Sequence, residues 1–470
     1  MADLELSYTP ATELARLIRA GELSPVEVVS NSLDRIAEVN PALNCFCFVF
    51  PEEATELARE AERAVRDGRP LGPLHGVPVA IKDITPTAGK RTTMGSYAFE
   101  QWVPERSALL VEKLLDAGAI MVGKTTTPEF AYSSYTESPL WGVTRNPWNP
   151  QRTPGGSSGG SGAAVASGCV PLAEGTDMGG SVRIPAAWCG IVGLKPSFGR
   201  IPLDFLPTQF DTIHHFGPLT RTLDDARLFL SVAQGPDDRD IMSLAPALDL
   251  SGPVEASVEG MRLALNVDFG CYAIDPEVEA AVREATEALA GAGAAVEEVE
   301  LDWGREYADA WVAHWGVYLA AIFGDKLEEF RERMDPRVVA LMDAGLAMSA
   351  VEFKRLEFVR TEQWGKLRPI LERFDALLCP TMSQIARPAD EDDFVWYKDQ
   401  GDGLYHGLDM TAQFNYVSQC PALSVPAGWS SEGLPIGLQI VARRYRDDEA
   451  LRIGAALERV RPWADRRPPP

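Results

Sequence analysis

Residues 155–166 place a run of glycine and serine directly before a run of small apolar residues, and this junction constrains the fold more than any other feature. The run reads Gly-Gly-Ser-Ser-Gly-Gly-Ser-Gly and continues without a break into Ala163-Ala164-Val165-Ala166. A flexible linker would instead be flanked by polar sequence and a change of composition. Side chains this small pack well only when their helix lies close against another backbone. The segment therefore predicts a buried helix within a core.

Around this segment, apolar residues recur with the period of a strand and then with that of a helix. Short apolar strands are expected at 77–81 and 119–122, with helices that have one apolar face between and before them. The same pattern returns as a strand over 261–267, a helix from Asp275 and a strand over 295–301. This alternation predicts an α/β sandwich, in which helices cover both faces of the sheet.

The 470 residues contain no internal repeat and no linker that would divide them, so we expect a single domain. A long, charged and helical stretch with interspersed tryptophans is predicted to be an insertion packed on the core. The predicted parts, in chain order, are N-terminal helices over 8–66, a central core over 70–235, the helical insertion over 303–374 and a C-terminal return to the core over 376–460.

Charge and composition exclude several classes of partner. The formal net charge is −24 and the isoelectric point about 4.7, whereas nucleic acids and anionic membranes are bound through lysine and arginine. The cysteines and histidines are too scattered for a disulfide framework or a metal motif. The first residues do not resemble a secretion signal, and no apolar run is long enough to cross a membrane. We therefore expect a cytoplasmic protein, and a homodimer where it self-associates, with no cofactor, no metal, no nucleic acid and no membrane among its partners.

A serine nucleophile is the best explanation of the 152–196 segment, and two serines compete for that role. Residues 155–159 match G-x-S-x-G, which in α/β-hydrolases directly follows a buried strand. Here Pro147, Pro150 and Pro154 precede the match and forbid a central strand. No Gly-Lys-Ser or Gly-Lys-Thr follows at the required spacing, so the run is not a phosphate-binding loop either.

Ser181 is the better candidate, because Gly179 and Gly180 precede it and a short apolar strand precedes them. Two glycines let the backbone approach a substrate closely and direct N–H groups at a developing oxyanion. A serine hydroxyl needs a base, and the segment contains no histidine. Lys82 ends a buried strand, and burial lowers the pKa of an ammonium group. A neutral Lys82 would accept the proton through an intermediate hydroxyl, for which Ser157 is the candidate.

Residues 152–196 closely resemble the amidase signature, a GGSS[GS]G motif followed by a second Gly-Gly-Ser before an arginine and a proline. The lysine strand, HGVPVAIKD, is also similar to that of the family. The resemblance implies the family's α/β/α sandwich around a large mixed sheet. It covers most of 70–235 and 376–460, including the segments 123–125, 136–148 and 421–426, but not residues 240–375.

The resemblance also implies roles for the residues that match the motif. Lys82 would be the base, Ser157 the relay on a cis peptide bond, and Ser181 the nucleophile that carries the acyl group. The oxyanion hole would be formed by the backbone N–H groups of Met178, Gly179, Gly180 and Ser181.

The resemblance implies roles for two further sets of residues, and each set also has a purely structural explanation. Ser158 and Arg183 would hydrogen-bond to the groups that react, but they could instead be a helix cap and half of a surface ion pair. Ala131, Tyr132 and Ser133 would line the acyl pocket, or they could be ordinary packing residues, since aromatic lining is common and unspecific.

The family implies hydrolysis of a carboxamide without metal or cofactor, and its members act on broad or aryl amides, esters and carbamates (urethanes). The aromatic-rich stretches 303–323 and 394–405 suggest an entrance for a bulky apolar substrate. The alternative is the glutamine-amidase subunit of a tRNA-dependent amidotransferase, which needs a partner for tRNA. Asp409 lies near that subunit's glutamine position, whereas 387–408 do not resemble it. The fold and the three catalytic candidates Lys82, Ser157 and Ser181 do not by themselves decide the substrate.

Overall fold

The computed structural model describes residues 1–469, and eleven of its strands form one sheet. The strands are β1 (Phe46–Val49), β2 (Pro78–Lys82), β3 (Ile120–Thr125), β4 (Glu137–Ser138), β5 (Gly142–Val143), β6 (Leu172–Asp177), β7 (Val192–Lys195), β8 (His215–Thr220), β9 (Arg262–Leu265), β10 (Ala295–Glu298), β11 (Ala376–Pro380), β12 (Ala422–Trp429) and β13 (Pro435–Ala442).

Along the sheet the strands follow the order β1-β3-β2-β6-β8-β7-β12-β13-β11-β9-β10, and β4 pairs with β5 in a separate ribbon. Two groups of three neighbouring strands are parallel. One trio is β3, β2 and β6, and the other is β11, β9 and β10. The pairs between these trios, and β1 with β3, are antiparallel. The sheet is thus large and mixed, as the resemblance implies.

Helices flank this sheet, which confirms the predicted fold class. They are α1 (Leu4–Tyr8), α2 (Ala11–Ala20), α3 (Pro25–Leu43), α4 (Pro51–Arg66), α5 (Leu109–Asp116), α6 (Gly159–Ala166), α7 (Arg183–Cys189), α8 (Leu223–Ala233), α9 (Pro276–Gly291), α10 (Glu306–Phe323), α11 (Leu327–Phe330), α12 (Pro336–Ala347), α13 (Ala350–Arg373), α14 (Gln413–Tyr416) and α15 (Asp447–Val460). None of the helices within residues 1–469 combines the length and apolarity needed to cross a bilayer.

Local sequence explains the elements around the centre of the sheet. Every residue of α6 is buried, as the small side chains of its sequence predict. Strand β2 is likewise buried on both faces and ends at Lys82, the predicted position. Strand β10 is shorter than expected, because it is the edge strand and pairs with β9 over only four residues, up to Glu298.

The topology places two strand ends side by side. Strands β2 and β6 are parallel neighbours, with Val79 opposite Leu172 and Ala80 opposite Ala173. The carboxyl ends of parallel strands meet at the same edge of a sheet, so Lys82 and the loop after β6 lie together there. Helices α6 and α7 pack against each other beside this edge, and α10 packs on α12 and α13.

Candidate active site

Lys82 and Ser157 form the centre of the site. The Lys82 Nζ lies 2.6 Å from the Ser157 Oγ and 2.9 Å from the Thr176 Oγ1, and all three residues are buried. The peptide bond between Gly156 and Ser157 is cis, as the resemblance implies. Strand β2 supplies the lysine, β6 supplies Thr176, and the turn before α6 supplies Ser157. The base and relay predicted from the sequence are therefore in direct hydrogen-bond contact.

Burial controls the charge on Lys82. Its side chain is 0% exposed, and burial lowers the pKa of the ammonium from 10.5 to about 7. Glu174 and Asp177 act in the opposite direction, but neither forms an ion pair with Lys82. Glu174 instead accepts hydrogen bonds from the Lys82 backbone N–H at 2.8 Å and from the Thr85 hydroxyl at 2.9 Å. A large fraction of Lys82 is therefore neutral near pH 7 and able to accept a proton.

Ser181 lies at the rim of this group, in the loop between β6 and α7. Its backbone carbonyl accepts a hydrogen bond from the Ser158 N–H at 3.1 Å, which ties the two serine-containing loops together. Within residues 1–469 its hydroxyl makes no hydrogen bond to Ser157, and Ser181 is half-buried and lines a cavity. The structure therefore brings the three predicted residues to one place, with the Ser181 hydroxyl open to an incoming group.

The loop of Met178, Gly179, Gly180 and Ser181 is the predicted oxyanion hole, and its N–H groups are not equivalent. The Gly180 N–H donates to the Asp177 Oδ1 at 2.9 Å, so that donor is occupied. The other three N–H groups have no acceptor among the described residues. A Cβ on Gly179 would collide with the Trp311 indole, and one on Gly180, at φ 126°, would collide with Thr411. Both positions therefore require glycine.

Arg183 anchors this loop through Asp177, the residue that precedes it. Its Nη2 and Nε lie 2.8 and 3.0 Å from the two Asp177 carboxylate oxygens, and its remaining donors reach the Gln439 and Asn415 side-chain oxygens and the Thr411 carbonyl. Burial tends to raise the pKa of Asp177, but the Arg183 charge outweighs it and holds that pKa below its ordinary value. Arg183 is 0% exposed, so the alternative of a surface ion pair is wrong.

Ser158 is the residue before α6, but its side chain does not cap the helix. Its hydroxyl donates instead to the Thr176 carbonyl at 3.3 Å. The helix-cap alternative is therefore wrong for the side chain, and Ser158 connects the relay turn to β6 beside Lys82.

A cavity of about 240 Å³ opens beside Ser181. Ala131, Tyr132 and Ser133 line it, together with Met178 and Gly179, so the residues predicted for the pocket lie at the cavity. Most of the other lining residues come from α10 and from the segment before α14, which overlap the predicted entrance stretches 303–323 and 394–405. The aromatic side chains that line the cavity are Tyr132, Trp311, Trp315, Phe394, Tyr397 and Tyr405.

Comparison with known proteins identifies the family of this chain. The Amidase family model matches residues 27–451. An acylamidase of Rhodococcus erythropolis is 37% identical over 476 residues, which cover 100% of this chain and 98% of that protein. The chain belongs to the amidase family. The solved structure of a bacterial aryl acylamidase of the amidase signature enzymes superposes with a TM-score of 0.92 at 31% identity, covering 97% of both chains.

Another relative has a different name. A glutamyl-tRNA(Gln) amidotransferase subunit of Chloroflexus aurantiacus is 35% identical over 491 residues, which cover 99% of each chain. Membership of the amidase family makes this protein a hydrolase of carbon–nitrogen bonds in linear amides. The two similar relatives leave its substrate to be argued from the cavity.

Sequence reasoning missed several residues of this amidase site. Glu174, Thr176 and Asp177 carried a usable signal, because they are polar residues in a strand that is otherwise apolar and lies next to the lysine strand. Asn415 and Gln439, which fix Arg183, carried none, because they lie far along the chain in unremarkable sequence. Within residues 1–469 no cluster of three or more His, Cys, Asp or Glu is arranged as a metal site.

Proposed function

We propose that this protein hydrolyses neutral amides with a bulky or aryl group, through an acyl-enzyme on Ser181 with Lys82 as base and Ser157 as relay. The observation that supports it most is the buried Lys82 amine at 2.6 Å from the Ser157 hydroxyl, with a pKa lowered to about 7 by burial. A general base with a pKa near the working pH is the most effective one.

The chemistry follows from that contact. Ser181 attacks the amide carbonyl and passes its proton to Ser157, whose own proton moves to the neutral amine of Lys82. The reverse movement then delivers a proton to the leaving nitrogen, the C–N bond breaks, and the acyl group stays on Ser181. A water molecule repeats the sequence and releases the acid. The N–H groups of Met178, Gly179 and Ser181, which have no other acceptor among the described residues, supply the oxyanion hole.

Charge in the cavity favours a neutral substrate. Asp309, Asp393 and Asp409 line it, whereas Arg305 is the one lysine or arginine among its described lining residues. Arg305 is engaged by Asp309 and by the Tyr397 carbonyl at 2.9 Å. A carboxylate on the substrate would meet acidic walls without a free cation. The volume of about 240 Å³ lies just below the range of about 300–1,000 Å³ typical of small-molecule sites, so the bulky part of the substrate is a single compact group such as an aryl ring.

The second candidate is glutamine hydrolysis as the subunit of a tRNA-dependent amidotransferase. It is supported by the Chloroflexus aurantiacus relative and by Asp409, whose carboxylate accepts hydrogen bonds from the Tyr397 and Ser134 hydroxyls and contacts no cation among the described residues. Such a carboxylate suits the ammonium group of an amino acid. The engaged state of Arg305 argues against binding the carboxylate of the same molecule.

Ser181→Ala and a substrate panel test the proposal. The purified single chain should hydrolyse a neutral anilide without ATP or a partner, and matched aryl esters and carbamates are included. Ser181→Ala should lower kcat about a thousandfold or more, because the nucleophile is lost, while the circular dichroism spectrum stays unchanged. Retention of much of the activity would refute the nucleophile. Hydrolysis of glutamine but not of the anilide would favour the second candidate.

Cytoplasmic location and homodimer formation stay predictions, which cell fractionation and analytical ultracentrifugation test.

A further inference from the structure

One wall of the cavity beside Ser181 is fixed by two carboxylates from distant elements. Tyr132 and Ser133 line this wall. The Tyr132 hydroxyl donates to the Asp335 Oδ2 at 2.9 Å, and the Ser133 hydroxyl donates to Asp393. Asp335 precedes α12, and Asp393 lies in the segment between β11 and α14. The position of the wall therefore depends on parts of the chain far from the Gly-Ser motif.

The backbone just before this wall has an uncommon conformation. Phe130 and Ala131 have φ values of 51° and 59°, in the left-handed region that residues other than glycine seldom adopt. Such a conformation persists only where the surroundings hold it. Phe130 is held by stacking on Phe323 at 4.1 Å between ring centroids. The Tyr132 end of the segment is held through Asp335.

Arg337 joins the two carboxylates. Its Nε and Nη2 lie 3.0 and 2.7 Å from the two Asp335 oxygens, and its Nη1 lies 3.4 Å from the Asp393 Oδ1. Its guanidinium also lies over the Tyr132 ring, 5.5 Å from the centroid. The side chains of Asp335 and Asp393 are 7% and 1% exposed, and that of Arg337 is 24% exposed. Arg337 does not itself line the cavity.

We infer that Arg337 is a positioning residue that fixes the Tyr132–Ser133 wall, and that it thereby sets how the cavity discriminates among substrates by size. This inference rests on the proposed function of the cavity. Only a planar guanidinium can hold Asp335 by two parallel hydrogen bonds and reach Asp393 at the same time. Without it two nearly buried carboxylates repel each other, and the hydroxyls of Tyr132 and Ser133 lose their fixed acceptors.

Arg337→Gln tests the inference, with Arg331→Gln as its matched control. Arg331 pairs with Asp343 through two hydrogen bonds of 2.8 and 2.9 Å, but both side chains are exposed and neither lines the cavity. For a bulky anilide, Arg337→Gln should lower kcat/KM by about tenfold to a hundredfold, mostly through KM, because the wall is displaced and not the reacting groups. For a small aliphatic amide the change should be much smaller. Arg331→Gln should change neither, and Arg337→Lys should lie between wild type and Arg337→Gln.

A double-mutant cycle with Tyr132→Phe shows whether Arg337 acts through the wall. If it does, the KM effect of the double variant should equal that of the larger single variant, because both changes break the same link. If Arg337→Gln does not fold, Asp335→Asn takes its place in the cycle. Additive effects, an unchanged size preference, or a loss confined to kcat would overturn the inference. Activity that survives Ser181→Ala would instead count against the proposed function, whatever the cycle shows.

Discussion

Lys82→Met should abolish activity and yet stabilise the fold, by an amount that falls as the pH rises. Lys82 is fully buried, and burial lowers the pKa of its ammonium from 10.5 to about 7. In the unfolded chain the lysine has its ordinary pKa. Between these two values the unfolded chain binds more protons than the folded protein, so the free energy of unfolding of the wild type rises with pH. Methionine does not titrate, and its advantage is therefore greatest near pH 7 and below.

The size of the effect follows from the two pKa values. A shift from 10.5 to about 7 is about 3.5 units, or about 5 kcal/mol at about 1.36 kcal/mol per unit. Loss of the hydrogen bonds to Ser157 and Thr176 opposes this gain by about 1 kcal/mol each. That loss does not depend on pH, so the change with pH is the cleaner quantity. From about pH 7.5 to about pH 9.5 the advantage of the methionine variant should shrink by about 2.5 kcal/mol.

Urea unfolding followed by tryptophan fluorescence measures this difference at both pH values. Lys195→Met is the control, because burial also lowers the pKa of Lys195 to about 7. The Lys195 Nζ donates to the Cys420 carbonyl at 2.9 Å and contacts neither Ser157 nor Ser181. This variant should show the same dependence on pH and keep its activity. A stability difference for Lys82→Met that is constant over the window, while that of Lys195→Met shrinks, would mean that Lys82 stays charged in the folded protein.

Three further changes test other contacts of the site. Lys82→Ala should reduce anilide hydrolysis more than hydrolysis of the matched ester, since only the amine must be protonated to leave. The activity of the wild type should rise with pH through about 7. Equal losses on both substrates, with an unchanged pH profile, would refute Lys82 as the base. Thr176→Val keeps the shape of the side chain but removes a hydrogen-bond partner of the Lys82 amine. The kcat should therefore fall about tenfold with little change in KM. An unchanged kcat would show that Ser157 alone orients the amine. Gly180→Ala should destabilise the protein by about 1–3 kcal/mol and stop turnover, because the added Cβ would collide with Thr411. If this variant had the thermal stability of the wild type, the packing argument would be wrong.

The fold and the centre of the site could be predicted from the sequence because their signals are local. A glycine-serine run that leads into small apolar residues predicts a buried helix, and α6 is one. Lys82 at the end of an apolar strand predicts a buried amine, and its contact with Ser157 confirms the proximity of base and relay. The catalytic roles of these residues stay predictions until the variants are measured.

The surroundings of the site could not be predicted, because they depend on contacts between distant parts of the chain. The sequence left Arg183 open as a surface ion pair, since nothing nearby shows that Asn415 and Gln439 would enclose it. Arg337 lies in the stretch that resembles no family motif, and its partner Asp393 is 56 residues away. Charged residues in such a stretch are usually solvated, so only the folded structure distinguishes Arg337 from Arg331.

The neutral state of Lys82 depends on how the neighbouring carboxylates are engaged. A free carboxylate at hydrogen-bond distance would favour the ammonium form and raise the lysine pKa. Asp177 is instead bound to Arg183, and Glu174 accepts the Lys82 backbone N–H and the Thr85 hydroxyl. The Lys82 amine is thus left with two hydroxyl partners and no ion pair among the described residues. If Lys82 is the base, Arg183 therefore supports it from a distance, because Arg183 neutralises one of the two carboxylates that favour the charged lysine.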